Sequence, residues 1–237
     1  MTLIMSTKGK HVTLKGKREA DFIVLGCDSR GVIEISDIIR TESNSNKKLF
    51  KLNDYCCIML AGDAEFGITL INGFIEKSSL KGKGVSEITE EFRKFCIIKF
   101  NEIQKFSLEN QKLFPDVDFI VSGMDKEGKE FKKGRIFILR KERLFTPSFS
   151  DDFASSGQTL LAYYFFEKQY REDLTLDESL QLVGQAIYDT ARINGNVGGK
   201  ITLAVIDSKK FRIVDEQEYI KGWEQEKLDR LVQGPSS

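Results

Sequence analysis

The stretch Asp21-Phe22-Ile23-Val24-Leu25-Gly26-Cys27-Asp28-Ser29-Arg30 decides the fold. From Phe22 to Cys27 it is an almost unbroken apolar run with β-branched residues at its centre. At that length such a run reads as a strand buried on both faces. It stops at Asp28-Ser29-Arg30-Gly31, a polar turn with a local ion pair. A strand buried on both sides needs a partner layer above and below it, so the neighbouring sequence must supply two covers.

Upstream, residues 3–7 read as a first strand and the lysine-rich piece 8–18 as a polar hairpin extension. Downstream, residues 32–39 alternate apolar and polar, as a half-exposed strand does, and 41–46 form a Ser/Asn turn cluster. Lys48-Leu49-Phe50-Lys51-Leu52 and 55–61 read as a hairpin closed by Asn53-Asp54. After Gly62 the period lengthens: Phe66, Leu70, Phe74 and Ile75 mark one face of a helix over 63–80. Ser86 is expected to cap a second helix carrying Ile88, Phe92, Phe95, Ile98 and Phe106, and Pro115 ends the connection after it. Strands return at 117–123, 135–140 and 143–146, with a turn at 125–128. Ser155-Ser156-Gly157 introduces a third helix containing Leu160, Leu161, Tyr164 and Phe165. Thr175-Leu176-Asp177-Glu178 is a capping box, and Leu180, Val183, Ile187 and Ala191 form the buried stripe of a fourth helix. A glycine-rich break at 194–199 precedes a closing hairpin, 201–206 and 211–214. A terminal helix over 217–232 and a loose tail finish the chain. Two antiparallel sheets face to face, each covered outside by a helix pair, satisfy this order. The expected fold is therefore an α+β, four-layer αββα sandwich forming a single domain over 1–237, with an extended first hairpin at 5–21.

The 237 residues suffice for one large core, and 41% hydrophobic with 30% charged residues describes a globular chain rather than a disordered one. Lys plus Arg and Asp plus Glu balance at 36 each, so no net field recruits nucleic acid or an anionic membrane. Cys27, Cys56, Cys57 and Cys96 show no metal spacing and read as buried free thiols. The single histidine, His11, sits among lysines and glycines and reads as an exposed turn or strand residue, so neither a metal nor a cofactor is expected. No run reaches membrane-spanning length, and no signal-peptide core opens the sequence, so the expected location is cytoplasmic.

The chemistry hangs from Met1-Thr2. Removal of Met1 would leave a threonine carrying both a hydroxyl and a free α-amine, whose intrinsic pKa is roughly 7.7–8.0. Such an amine can take the proton of its own hydroxyl, directly or through a water, which an ordinary threonine needs a separate base to do.

Five segments, in this order and layout, resemble the proteasome β-subunit family of N-terminal-nucleophile hydrolases, over a span from Thr2 to about Asp207. They are Thr2-Leu3-Ile4; Ile23 to Arg30, an apolar strand ending in Asp-Ser-Arg; Lys47-Lys48-Leu49-Phe50; Met59-Leu60-Ala61-Gly62-Asp63-Ala64; and Ser155-Ser156-Gly157-Gln158-Thr159-Leu160-Leu161-Ala162-Tyr163. The resemblance implies that Thr2 is the nucleophile and that Lys48 holds a positive charge beside it, with Asp28 compensating that lysine. It further implies that the Gly62 backbone N–H faces the developing oxyanion, and that Ser156 orients the Thr2 amine. Asn46, Leu60, Ala64 and Ile68 would line the pocket beside the scissile bond, and three apolar side chains there imply cleavage after apolar residues. Implied partners are further copies of the chain in a ring, an unfolding ATPase, and a peptide or unfolded-protein substrate.

The sequence departs from the family at 194–199. Asn194 stands where an aspartate is frequent and Val197 where a serine is frequent, both positions that support the amine. Asn194 keeps hydrogen bonding without charge, and Val197 keeps neither. A catalytically degenerate structural ring subunit is therefore an alternative to the threonine peptidase. An amidohydrolase acting on small amides is another.

Overall fold

Side chains along the strand Arg18–Cys27 alternate between two apolar cores: Phe22 and Val24 enter one, and Ile23, Leu25 and Cys27 enter the other. The computed structural model describes residues 2–12, 18–36, 39–110 and 115–215, and within them this strand is the central member of the first sheet.

In chain order the first elements are β1 (Leu3–Val12), β2 (Arg18–Cys27), β3 (Gly31–Ser36), β4 (Ile39–Ser43), β5 (Leu49–Asn53) and β6 (Cys56–Gly62). Helices α1 (Ala64–Lys77) and α2 (Val85–Asn110) follow, then β7 (Val117–Glu127), β8 (Glu130–Arg140), β9 (Ser148–Ser150) and β10 (Phe153–Gly157). Helices α3 (Thr159–Gln169) and α4 (Leu176–Ile193) lead to β11 (Thr202–Asp207) and β12 (Lys210–Ile213). One antiparallel sheet has the order β10-β1-β2-β11-β12, the other β5-β6-β7-β8-β9, and β3-β4 form a separate ribbon.

Three apolar clusters define the layers. Ile4, Ile23, Leu25, Met59, Ile120 and Ala204 pack between the sheets. Leu3, Val24, Val183, Ile187 and Leu203 join the first sheet to α3 and α4, while Ile58, Leu60, Phe74, Phe92 and Phe119 join the second to α1 and α2. The period of two along each inner strand feeds both clusters at once. The result is the expected αββα sandwich of two antiparallel sheets with helix pairs outside.

The first hairpin divides in two. β1 pairs with β10 only as far as Thr7, and β2 with β11 only from Ile23 onward, whereas β1 and β2 pair with each other out to Val12 and Arg18. Their far ends thus run on as a two-stranded arm. Residues 13–17 within the expected extension, and the helix expected over 217–232, lie outside the described residues.

Several local expectations change. The strand expected over 32–39 divides into β3 and β4, and β4 runs through Ser43 into the segment expected as a turn. Ser86 is inside α2, and the group that caps it is Asp125 on β7, which accepts from the Ser86 backbone N–H at 3.0 Å. In place of the strand expected over 143–146, a single 3₁₀ turn, Lys141–Arg143, leads into Leu144 and Phe145 at φ of 50° and 54°, and Phe145 alone turns inward and is fully buried. Among the described residues no helix is long and apolar enough to cross a membrane, and no side-chain cluster could hold a metal ion.

Candidate active site

The first residues of β1 and the last of β2 lie side by side because the hairpin is antiparallel, Ile4 opposite Cys27. That pairing carries Thr2 to Asp28. The Thr2 hydroxyl donates to Asp28 Oδ1 at 2.8 Å, and the Leu3 N–H donates to the same oxygen at 2.9 Å. Lys48, arriving from the start of β5 on the opposite sheet, donates its ammonium to Asp28 Oδ1 at 2.6 Å and to the Arg30 carbonyl at 2.5 Å. Hydroxyl and ammonium therefore share one carboxylate oxygen and cannot lie farther apart than those two bonds laid end to end. The other oxygen accepts from the backbone N–H groups of Arg30 and Gly198. Asp28 is wholly buried and Lys48 nearly so, a combination that is stable only when every charge is matched and hydrogen-bonded.

Of the two adjacent lysines only Lys48 turns inward; Lys47 stays exposed with its ammonium over the Phe50 ring. Burial pulls the Lys48 ammonium below the ordinary lysine range, and the Asp28 carboxylate opposes that pull. The adjoining Cys27 thiol is pushed up to about 12, first by burial and then by the Asp28 charge. It faces the inter-sheet core as a neutral packing group.

A cleft of ≈ 580 Å³ opens on this cluster, and Thr2, Lys48 and Gly62 all line it. Gly62 ends β6 at φ 97°, and a Cβ there would fall 2.2 Å from the Asp116 carbonyl, so the backbone passes the cleft with no side chain on it. At the end of β10, Gly157 lies against the Thr2 backbone, where a Cβ would meet the Thr2 carbonyl at 1.9 Å. That carbonyl accepts from the Gln158 N–H at 2.7 Å, which fixes the plane of the Thr2 backbone.

Asn46, Leu60, Ala64 and Ile68, the expected pocket residues, line the same cleft. Two further residues beside them, Asp63 and Glu65, add carboxylates to a wall expected to be mainly apolar.

Two expected site residues have other immediate partners. The Ser156 hydroxyl donates to Asp118 Oδ2 at 2.6 Å, bridging β10 to β7, so the carboxylate and not the threonine nitrogen is its partner. Asn194 is the C-cap of α4; its Nδ2 donates to Gln158 Oε1 at 2.9 Å and its Oδ1 accepts from the Asn196 N–H. Through Gln158 it is linked to the Thr2 carbonyl. Val197 is fully buried in the outer core. Sequence reasoning missed Gln158 and Gly198 as contributors, since each acts through a backbone N–H; the Gly198-Gly199 run was the one visible sign.

Two facing sheets that bring a threonine hydroxyl, a buried carboxylate and a buried lysine to one open end define a proteasome-like αββα sandwich. A family model described as proteasome subunit matches residues 9–206, and the chain belongs to that family. Among curated relatives it is similar to β-subunits. It is 23% identical to proteasome subunit beta 2 of Nitrosopumilus maritimus over 209 residues, 87% of this chain and 90% of the relative. It is 24% identical to proteasome subunit beta of Methanocaldococcus vulcanius (90% and 89% covered). With that of Picrophilus torridus the identity is 25%, with 91% and 95% covered.

Proposed function

We propose that this chain is a threonine-type peptidase whose nucleophile is Thr2, released by removal of Met1, acting inside a ring of its own copies. The observation that carries the reading is the sharing of Asp28 Oδ1 by the Thr2 hydroxyl and the Lys48 ammonium. The hydroxyl attacks the scissile carbonyl while its proton passes to the Thr2 amine, and the charge on Lys48 stabilises the alkoxide as it forms. The Gly62 N–H receives the oxyanion, and the amine then delivers the proton to the leaving nitrogen. Water, activated by the same amine, hydrolyses the acyl-threonine and restores the hydroxyl. A closed chamber supplies the selectivity that so general a nucleophile lacks, and an unfolding ATPase would feed it unfolded protein.

A second reading, a ring subunit without activity, draws support from one place: the uncharged Asn194 bonds to Gln158, Val197 is apolar, and Ser156 is engaged by Asp118. Intact-mass measurement separates the two. The peptidase reading expects a chain lacking Met1 that gains one equivalent of a peptide epoxyketone, with the adduct on Thr2 and none in Thr2→Ala. Retention of Met1, or a Met1-free chain that takes up no label, would count for the structural subunit.

A further inference from the structure

We propose that the cleft selects a basic side chain, lysine or arginine, in the substrate residue whose carbonyl Thr2 attacks, with Glu65 and Asp63 as the selecting groups. This rests on the peptidase reading and names the substrate class for the same cleft.

Among the described residues four charged ones line the cleft: Arg30, Lys48, Asp63 and Glu65. The Lys48 cation is matched within the wall by Asp28 at 2.6 Å. The Arg30 guanidinium is drawn away by the Asn44 side chain (Nε to Oδ1, 3.1 Å) and by the Gly195 carbonyl (Nη1, 2.8 Å). Asp63 gives one oxygen to the Phe66 N–H as the N-cap of α1. Neither Asp63 nor Glu65 has an ion-pair partner among the described residues, and both are exposed. Among the described residues the unmatched charge facing a bound side chain is therefore negative.

Ala64, Glu65 and Ile68 fall on one side of the first turns of α1, at spacings of three and four residues. With Leu60 from β6 they give an apolar wall that ends in carboxylates. A lysine or arginine side chain is divided the same way, an aliphatic stem and a cationic tip, and covers the wall while its charge stays in water beside the acids. A leucine gains the wall alone, and a glutamate is repelled. The expectation of cleavage after apolar residues, drawn from Leu60, Ala64 and Ile68 alone, leaves these two carboxylates out.

The test uses three peptide epoxyketones identical except in the residue bearing the warhead: lysine, leucine or glutamate. The rate of Thr2 adduct formation is followed by intact mass on the Met1-free protein. The lysine reagent is expected to react about fivefold faster than the leucine one, the scale of an exposed ion pair, with glutamate slowest and the preference shrinking as salt rises. Glu65→Gln should reduce the lysine-to-leucine ratio and Glu65→Lys should favour glutamate. Asp63→Asn, which retains a good helix cap, should reduce the ratio on its own. Equal rates, or leucine first, in the wild-type protein would overturn the proposal and leave the peptidase reading intact. Failure of all three reagents to label Thr2 would overturn the peptidase reading and this proposal with it.

Discussion

Asp28 is where structure and chemistry meet at the scale of single residues. Its two oxygens accept from Thr2, Leu3, Lys48, Arg30 and Gly198. Removing it strands a buried ammonium, a change that typically costs about 3–5 kcal/mol. Thr2→Ala removes one hydroxyl from a carboxylate that keeps its other donors, at about 1 kcal/mol. Urea unfolding should thus show a large loss for Asp28→Ala and a small one for Thr2→Ala, while both abolish epoxyketone labelling. A second carboxylate at the same end, Asp118, is held above the usual carboxylate range by burial, against the hydrogen bond from Ser156. A raised folded-state pKa favours the protonated form. Its stabilising contribution is full below the ordinary carboxylate pKa and is lost as pH rises through the folded value. Asp118→Asn keeps an acceptor for Ser156 and has no charge to desolvate. Its melting temperature should gain on the wild type as pH is raised from the acid range to neutrality, and a gain that does not change with pH would contradict this account.

At the scale of elements, α1, α2 and α4 each start on a capping side chain, while α3 has none. α4 begins with the reciprocal box between Thr175 and Glu178 and ends at Asn194 beside the site. Thr175→Ala should cost about 1 kcal/mol in thermal or denaturant unfolding. It should leave Thr2 labelling unchanged, because the frayed turn is at the far end of α4 from Asn194. That box was legible in the sequence because its four residues are adjacent in the chain. The cap of α2 was not, because Asp125 comes from β7 and nothing near Ser86 announces it. The segment 143–146 misread as a strand for a related reason: one buried aromatic, Phe145, in a left-handed turn at 144–145 looks locally like one residue of an alternating strand. The same distinction runs through the site. Thr2, Asp28 and Lys48 stand in recognisable short segments and the structure brings them together. Gln158 and Gly198 contribute backbone N–H groups delivered by the β1–β10 and β2–β11 pairings, which no side-chain pattern records. Ser156 and Asn194 were visible as residues, but their partners Asp118 and Gln158 lie on other elements.

On the scale of the whole molecule, the site straddles the two sheets. Thr2 and Asp28 belong to the ends of β1 and β2, and Lys48 and Gly62 to the ends of β5 and β6. Any slip of one sheet over the other would separate the hydroxyl from the ammonium, so the inter-sheet core sets the geometry of the chemistry. That core is apolar, and such packing resists separation more strongly than it resists sliding, since dispersion and the hydrophobic effect carry little direction. Direction comes from polar contacts that cross between the sheets: Lys48 to Asp28, Ser156 to Asp118, the Gly134 N–H to Asp21, and, in the middle of the core, Ser122 and Ser6, whose hydroxyls meet at 3.0 Å with both residues fully buried. Ser6→Ala or Ser122→Ala alone leaves the remaining hydroxyl buried without this partner and should cost about 1–3 kcal/mol. The double substitution removes both and should be less costly than the sum, with a coupling of about 0.5 kcal/mol or more in a urea-unfolding cycle. Strict additivity would mean that the two hydroxyls do not act as a unit and that the other inter-sheet contacts hold the register without them. In either single variant, epoxyketone labelling of Thr2 per folded molecule should slow, and in the double variant the cost in labelling should persist even where stability returns, because the apolar replacement restores burial without restoring direction.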